Sequence, residues 1–143
     1  MFFEDFTVGQ KFQTPKVHIS KSKILTFAQE YDPMPFHLSE SAAKKTSFKK
    51  LIAPGVMSFM SVWAEFVKMN VWEDTMIAGL STNIRWLSPV FVSDTLQGEI
   101  TVSALERKNK YRGIVTFSTD IFNQDGLHVI HDITEALTKT KYN

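Results

Sequence analysis

The chain has 143 residues, of which 43% are hydrophobic and 22% are charged, and its formal net charge is +1. This composition predicts one globular domain over residues 1–143, and the near-neutral charge excludes a broad basic surface for nucleic acid. The chain has no cysteine, so disulfides, thiolate chemistry and sulfur-based zinc sites are excluded. It shows neither a basic leader segment nor about 20 consecutive apolar residues, and we therefore expect a soluble cytoplasmic protein with no membrane partner.

The first part of the chain predicts two helices on either side of a proline-containing loop. Ser20 is a candidate N-cap for a helix that ends at Tyr31, because apolar residues recur at i, i+3, i+4 and i+7. Residues 32–37 contain two prolines, which fix φ and disfavour the α region before each of them, so a stiff, non-helical loop is expected. Ser39 then predicts the cap of a short helix that ends near Lys45.

A longer helix is predicted from Gly55 to about Met69. Between Val56 and Ala64 it has no charged residue, which indicates burial on nearly every side. With a rise of about 1.5 Å per residue it would be roughly 24 Å long, enough to cross a small domain.

The second half of the chain predicts antiparallel strands. Residues 76–90 can supply one strand, and apolar and polar residues alternate from 96 to 104 as in a half-buried strand. A hairpin near residues 108–110 leads to a strand over 113–122, and Asn123–Gly126 offers turn residues before a last strand from 127 to about 138. This order of elements indicates an α+β fold, with an antiparallel sheet curled round the long helix.

Asp32 and His37 are the main acid–base candidates, because the two prolines between them would hold their side chains at a defined separation. A carboxylate and an imidazole can take a proton from water and deliver one to carbon near neutral pH. The simpler alternative is that Asp32 ends the helix and His37 satisfies a local hydrogen bond. The spacing alone favours this simpler alternative.

Gly55 is a candidate for binding a carbonyl oxygen, since free N–H groups and the positive end of the dipole lie at the start of its helix. A Pro-Gly pair by itself is more often only a tight helix entry.

Arg85 lies in an apolar strand, where its guanidinium group needs a polar partner. That partner is either a phosphate or an acidic side chain, and the ion pair with an acidic side chain is slightly favoured. His128 and His131 are three residues apart on a strand, which predicts opposite faces, so no metal site is expected.

Several segments, in order along almost the whole chain, carry a family resemblance. They are Phe3-Glu4-Asp5-Phe6-x-Val8-Gly9-Gln10, Phe27-Ala28-x-x-Tyr31-Asp32-Pro33-x-Pro35-Phe36-His37, Leu51-Ile52-Ala53-Pro54-Gly55, Trp86-Leu87-x-Pro89-Val90, Asp94-Thr95-Leu96 and Asn123-Gln124-Asp125-Gly126. Together they resemble the MaoC-like dehydratase family, which includes the (R)-specific enoyl-CoA hydratases. The most specific element is Asp32-x4-His37 combined with the glycine of the central helix.

The resemblance implies a hotdog fold, in which two chains pair into a larger continuous sheet as a homodimer or a dimer of dimers. It implies that Asp32 and His37 activate water for addition to a trans-2-enoyl thioester, giving an (R)-3-hydroxyacyl thioester, or catalyse the reverse reaction. The partner is then an acyl-CoA or acyl-carrier-protein thioester, with no cofactor apart from the coenzyme A of the substrate. The predicted substrate-binding residues are Gly55, Val56, Pro54, Phe36 and Arg85.

Three positions depart from the family pattern. Met34 stands where the hydratases often have asparagine, Pro54 where many have histidine, and Trp63 where some have serine. Ser58 and Ser61 are expected on other faces of the central helix. These departures keep open an acyl-thioester-binding subunit without catalytic activity.

An acyl-CoA thioesterase is the other alternative, since hotdog folds also carry that activity. Enzymes of this kind that use the central helix need a carboxylate on it. Here Val56 to Ala64 has none, and Glu65 comes more than two turns into the helix. This counts against hydrolysis.

Overall fold

A computed structural model describes residues 1–142. A short 3₁₀ helix (Phe3–Asp5) precedes four α-helices in the first half of these residues, namely α1 (Lys21–Tyr31), α2 (Pro35–Leu38), α3 (Glu40–Lys44) and α4 (Gly55–Lys68). The strands are β1 (Lys11–Gln13), β2 (Val17–His18), β3 (Met76–Trp86), β4 (Thr95–Arg107), β5 (Arg112–Phe122) and β6 (His128–Lys139). No helix among residues 1–142 is long and apolar enough to cross a bilayer.

The capping serines begin their helices as predicted. Ser20 Oγ accepts a hydrogen bond from the backbone N–H of Lys23 at 3.3 Å, and Ser39 Oγ accepts one from Ala42 at 3.2 Å. Each bond satisfies an N–H group that has no partner inside its helix. The predicted starts of α1 and α3 are therefore confirmed.

The prediction of a non-helical loop over residues 32–37 is wrong for its second half. Pro35 opens the short helix α2, while Met34 before it is extended at φ −66° and ψ 135°. A proline is compatible with the first position of a helix, because its fixed φ is already helical and its missing N–H would have had no partner there. Only residues 32–34 remain non-helical.

The strands form one antiparallel sheet in the order β1-β4-β5-β6-β3, and β2 also pairs with β4. Buried and less buried residues alternate along β4, β5 and β6, so one face of the sheet is covered. The covering element is α4, and the predicted α+β hotdog fold is confirmed. The short strands β1 and β2 were not predicted, because they are held by pairing with β4 and have little pattern of their own.

Helix α4 packs closely on the inner face of the sheet. Val62 and Phe66 of this helix are fully buried. At Gly98 of β4, a Cβ atom would lie 2.6 Å from Cγ1 of Val62, so the absent side chain lets the helix approach the sheet. The core thus forms where α4 crosses the strands.

The prediction that α4 is buried on nearly every side is wrong for the isolated chain. Val56, Met60 and Val67 are exposed, because the sheet covers only one side of the helix. The edge strand β3 is also largely exposed, including Leu80 and Trp86. The chain therefore leaves apolar surface open on α4 and on the edge of its sheet.

Candidate active site

The turn between α1 and α2 brings Asp32 and His37 together. The N–H of Asp32 donates to the Ala28 carbonyl at 3.0 Å, which ends α1. The N–H of Met34 donates to the Asp32 carbonyl, and that of His37 to the Met34 carbonyl, each at 2.9 Å. The backbone folds back on itself, and His37 Nε2 lies 3.3 Å from Asp32 Oδ2.

A backbone carbonyl fixes the His37 ring. Nδ1 lies 2.6 Å from the carbonyl oxygen of Ile52. Since a carbonyl can only accept, Nδ1 carries the hydrogen of this bond, and Nε2 faces Asp32. The His37 side chain is 7% exposed and that of Asp32 is 41% exposed. The imidazole is therefore held in one orientation, while the carboxylate remains open to small molecules.

A cavity of about 570 Å³ opens beside this pair. Its volume falls within the range of roughly 300–1,000 Å³ typical of small-molecule sites. The walls are mainly apolar and come from separate parts of the chain, namely Asp32, Phe36, His37, Phe48, Ile52, Ala53, Gly55, Val56, Ser58 and Trp86 to Val90. The predicted residues Phe36, Gly55 and Val56 thus lie with the pair in one cavity.

The start of α4 gives the cavity a set of free N–H groups. Pro54 occupies the N-cap position and forms no side-chain cap. The N–H groups of Gly55 and Val56 have no carbonyl partner inside the helix, and the helix dipole is positive at this end. A substrate oxygen that gains negative charge would be stabilised here.

Gly55 is also required by the close approach of an aromatic ring. A Cβ atom at this position would lie 2.2 Å from Nε1 and 2.4 Å from Cε2 of Trp86. These distances are far below van der Waals contact, so a side chain at position 55 would have to displace the indole from the place it occupies above Gly55. Trp86 thereby forms the cavity wall next to the helix start.

Two predicted substrate-binding residues lie outside the cavity. Pro54 is buried behind it, and its carbonyl accepts from the N–H of Ser58 at 3.1 Å and from the Ser58 hydroxyl at 3.2 Å. Arg85 lies beside His131 on the outer face of the sheet, because strand alternation directs its neighbour Trp86 to the cavity. Among residues 1–142 Arg85 also forms no ion pair.

The prediction that Ser58 lies on another face of α4 is wrong. It lines the cavity and is fully buried, since a residue three positions after Gly55 shares its helical face. Trp63, by contrast, packs in an aromatic cluster with Phe59 and Phe66.

Trp86 and the loop that follows it line the cavity but were not predicted as site residues. The Trp86-x-x-Pro89 segment, which is part of the family resemblance, could have indicated them.

The prediction that His128 and His131 lie on opposite faces is also wrong. Phe122 pairs with His128, and Ile121 pairs with Ile130, so β6 carries Val129 as one extra residue at this point. Such a β-bulge reverses the alternation of side chains beyond it. Both histidines consequently lie beside Asp120 on the outer face of the sheet.

Comparisons with known proteins identify the family. The family model described as the MaoC like domain matches residues 4–121. The chain is 30% identical to the uncharacterized protein YdeM of Bacillus subtilis over 140 residues, covering 97% of this chain and 99% of that protein. It is 32% identical to the (R)-specific enoyl-CoA hydratase of Rhodospirillum rubrum over 124 residues, covering 82% of this chain and 78% of that enzyme.

A solved structure gives the same result. The MaoC-like dehydratase from Rhodospirillum rubrum superposes with a TM-score of 0.91 at 30% identity, over 100% of this chain and 99% of that one. The chain therefore belongs to the MaoC-like dehydratase family, whose members include (R)-specific enoyl-CoA hydratases.

Proposed function

We propose that this protein is an acyl-thioester hydratase or dehydratase. It adds water to a trans-2-enoyl thioester to give an (R)-3-hydroxyacyl thioester, or removes water in the reverse direction. The observation that carries this proposal is the Asp32–His37 pair, 3.3 Å apart, in a cavity that also contains the free N–H groups of α4. The family membership and the named relative from Rhodospirillum rubrum support the same chemistry.

In this proposal the pair activates a water molecule. Ile52 holds the hydrogen of the imidazole on Nδ1, so His37 Nε2 and Asp32 Oδ2 present lone pairs to the same small region. A water bound there donates to these two acceptors and turns its own lone pair toward the substrate. As its oxygen bonds to C3 of the enoyl group, the pair takes up the proton that leaves the water.

The start of α4 stabilises the charge that this addition creates. When oxygen bonds to C3, the electrons of the C2–C3 double bond move toward the thioester carbonyl, whose oxygen becomes negative. The N–H groups of Gly55 and Val56 are the donors available for that oxygen. A proton returned from the pair to C2 completes the balance, because one hydroxyl and one hydrogen have then been added.

The apolar walls accommodate the acyl part of the substrate. Phe36 packs against the His37 ring with centroids 4.6 Å apart, and it lines the cavity on the side of the pair. The thioester is one of coenzyme A or of an acyl-carrier protein. The alternative of hydrolysis gains no support here, since Glu65 pairs with Lys68 and is not part of the cavity wall.

We further propose that the protein acts as a homodimer or as a dimer of such dimers. The edge strand β3 has a free side along its 11 residues, and the exposed residues of α4 leave apolar surface uncovered. Pairing of two such edges would join two sheets and cover Trp86, which is 53% exposed in the isolated chain.

The experiment that tests the activity is hydration of a short trans-2-enoyl-CoA, followed by loss of the enoyl-thioester absorbance. Asp32→Asn and His37→Gln are each expected to lower kcat by at least about 10²-fold, as for a missing acid–base group. Asp125→Asn and His18→Gln make the same chemical changes at exposed positions away from the cavity. These two control variants should retain the wild-type rate.

Folding of every variant is checked by circular dichroism. Turnover by the wild type, lost in the pair variants and kept in the controls, supports the proposal. A wild-type protein that is inert on short, long and branched enoyl-CoA substrates contradicts it. Measurable binding of acyl-CoA without turnover would favour the non-catalytic subunit instead.

A further inference from the structure

We propose that Asp120, His128 and His131 form a binding site for a divalent transition-metal ion such as Zn²⁺. The site lies on the outer face of the sheet, near the turn that joins β5 to β6. It is separate from the Asp32–His37 pair and does not depend on the proposed hydratase activity. The expectation of no metal site rested on the absence of a nearby cysteine and on the assignment of the two histidines to opposite faces, and that assignment was wrong.

The three side chains converge on a small volume. His131 Nδ1 lies 2.7 Å and His128 Nε2 lies 2.9 Å from Asp120 Oδ1, and the three ligand atoms all lie within 4.8 Å of one another. A zinc ion with ligand bonds of about 2.0–2.2 Å needs its ligand atoms roughly 3.4 Å apart. Small rotations of the side chains provide this spacing, because each of them is about one-third exposed.

Hydrogen bonding within the described residues does not satisfy the Nε2 atom of His128. Its Nε2 atom is shielded from solvent, yet it makes no well-aligned hydrogen bond, even though Asp120 Oδ1 is only 2.9 Å away. Asp120 Oδ1 instead accepts from His131. A buried ring nitrogen that makes no aligned hydrogen bond is costly, and coordination of a cation by its lone pair would satisfy it.

The sheet holds the ligands in place before any ion binds. Asp120 and His131 are directly paired across β5 and β6. The bulge at Val129 turns His128 to the same face, and the Phe122 ring stacks on the His128 ring at 4.9 Å and 24°. Two imidazoles and one carboxylate suit zinc and its neighbours in the first transition row, and solvent can supply the remaining ligand.

The bulge also connects this site to the cavity wall. The carbonyl of Val129, between the two histidines, accepts from the N–H groups of Leu87 at 2.9 Å and Ser88 at 3.3 Å. Leu87 and Ser88 line the cavity. A bound ion would fix the bulge, and hydrogen exchange at the Leu87 amide is therefore expected to slow in the presence of zinc.

The experiment is calorimetric titration of Zn²⁺ into the full chain, without a histidine tag and after treatment with a chelator. We expect one ion per chain, bound at micromolar concentration. Asp120→Ala, His128→Gln and His131→Gln should each weaken binding by at least roughly tenfold. His18→Gln is the matched control at an exposed histidine, and His37→Gln tests whether the Asp32–His37 pair takes up the ion instead.

Thermal unfolding gives a second measurement on the same variants. Zinc should raise the Tm of the wild type and of both control variants, and at the same zinc concentration it should raise the Tm of the three ligand variants clearly less. The proposal is overturned if no zinc binds up to millimolar concentration, if the three ligand variants bind like the wild type, or if His37→Gln abolishes binding. Circular dichroism confirms that each variant is folded before titration.

Discussion

Replacing Gly55 with alanine tests whether the indole of Trp86 sets the geometry of the proposed active site. The new Cβ would lie 2.2 Å from Nε1 of this ring. Ordinary contact between such atoms is about 3.5 Å, so the ring has to move by roughly 1.3 Å. Trp86 is 53% exposed in the isolated chain, so its ring lies outside the core and can be displaced without opening it.

The expected effect on stability is therefore small, whereas the expected effect on activity is large. The free energy of unfolding should change by less than about 1 kcal/mol, partly because alanine favours the helix over glycine. A displacement of about 1 Å in a wall that positions substrate lowers kcat/KM by roughly 10²-fold. Both quantities are measured on the same preparation, by urea denaturation and by hydration of a short trans-2-enoyl-CoA.

Gly79→Ala is the matched control, because a Cβ at Gly79 meets no atom of its own chain within 4 Å, and size-exclusion chromatography verifies that this β3 variant keeps the wild-type oligomeric state. Its kcat/KM should equal that of the wild type. Tryptophan fluorescence reports the movement of the indole, and only Gly55→Ala should change it. If Gly55→Ala keeps both the wild-type fluorescence and the wild-type kcat/KM, the Trp86 ring does not set the geometry of the site. If Gly55→Ala lowers the free energy of unfolding by more than about 3 kcal/mol, the Trp86 ring cannot move to make room for the Cβ atom.

Two further predictions concern stability. Gly98→Ala places a Cβ 2.6 Å from Val62 and should lower the free energy of unfolding by about 1–3 kcal/mol. The double variant Gly98→Ala/Val62→Ala should lose less stability than the sum of the two single losses. Additive losses in urea denaturation would contradict the close packing of α4 on β4. At Glu4, burial opposes ionisation, but the hydrogen bonds from Arg107 and from the Lys141 N–H outweigh it and lower the pKa. The lowered pKa gives stability that is present above the unfolded-state pKa of about 4.3 and is lost as the pH falls further. Glu4→Gln should therefore be less stable than the wild type by under about 1 kcal/mol at pH 7, and the difference should shrink as the pH falls below about 4.3; a difference that does not shrink would contradict this prediction.

The sequence was sufficient to predict the elements whose signals are local. Ser20 and Ser39 mark their helix starts, and the alternation along β4 and the turn at residues 123–126 follow from residue types alone. Asp32 and His37 lie five positions apart, so their proximity depends mainly on one turn. These features were predictable because their causes lie within a few residues.

The features that sequence reasoning missed depend on contacts between distant segments. The fit of Gly55 beneath Trp86 joins positions 31 residues apart, and nothing in either local pattern indicates it. The bulge at Val129 arises from the pairing of β6 with β5, and the single extra residue reversed the predicted direction of His128. Arg85 was placed in the site by its residue type, although the register of β3 directs Trp86 there instead.

The proposed acid–base pair and the rest of the cavity wall come mostly from different parts of the chain. Asp32, Phe36 and His37 lie together at one turn, whereas most of the remaining cavity wall comes from the start of α4 and from the loop after β3. Substitutions in the loop from Leu87 to Val90 can therefore change which acyl chain fits while the proton-transfer geometry stays the same. Under the proposed activity, the chemistry and the choice of substrate can therefore vary independently along the chain.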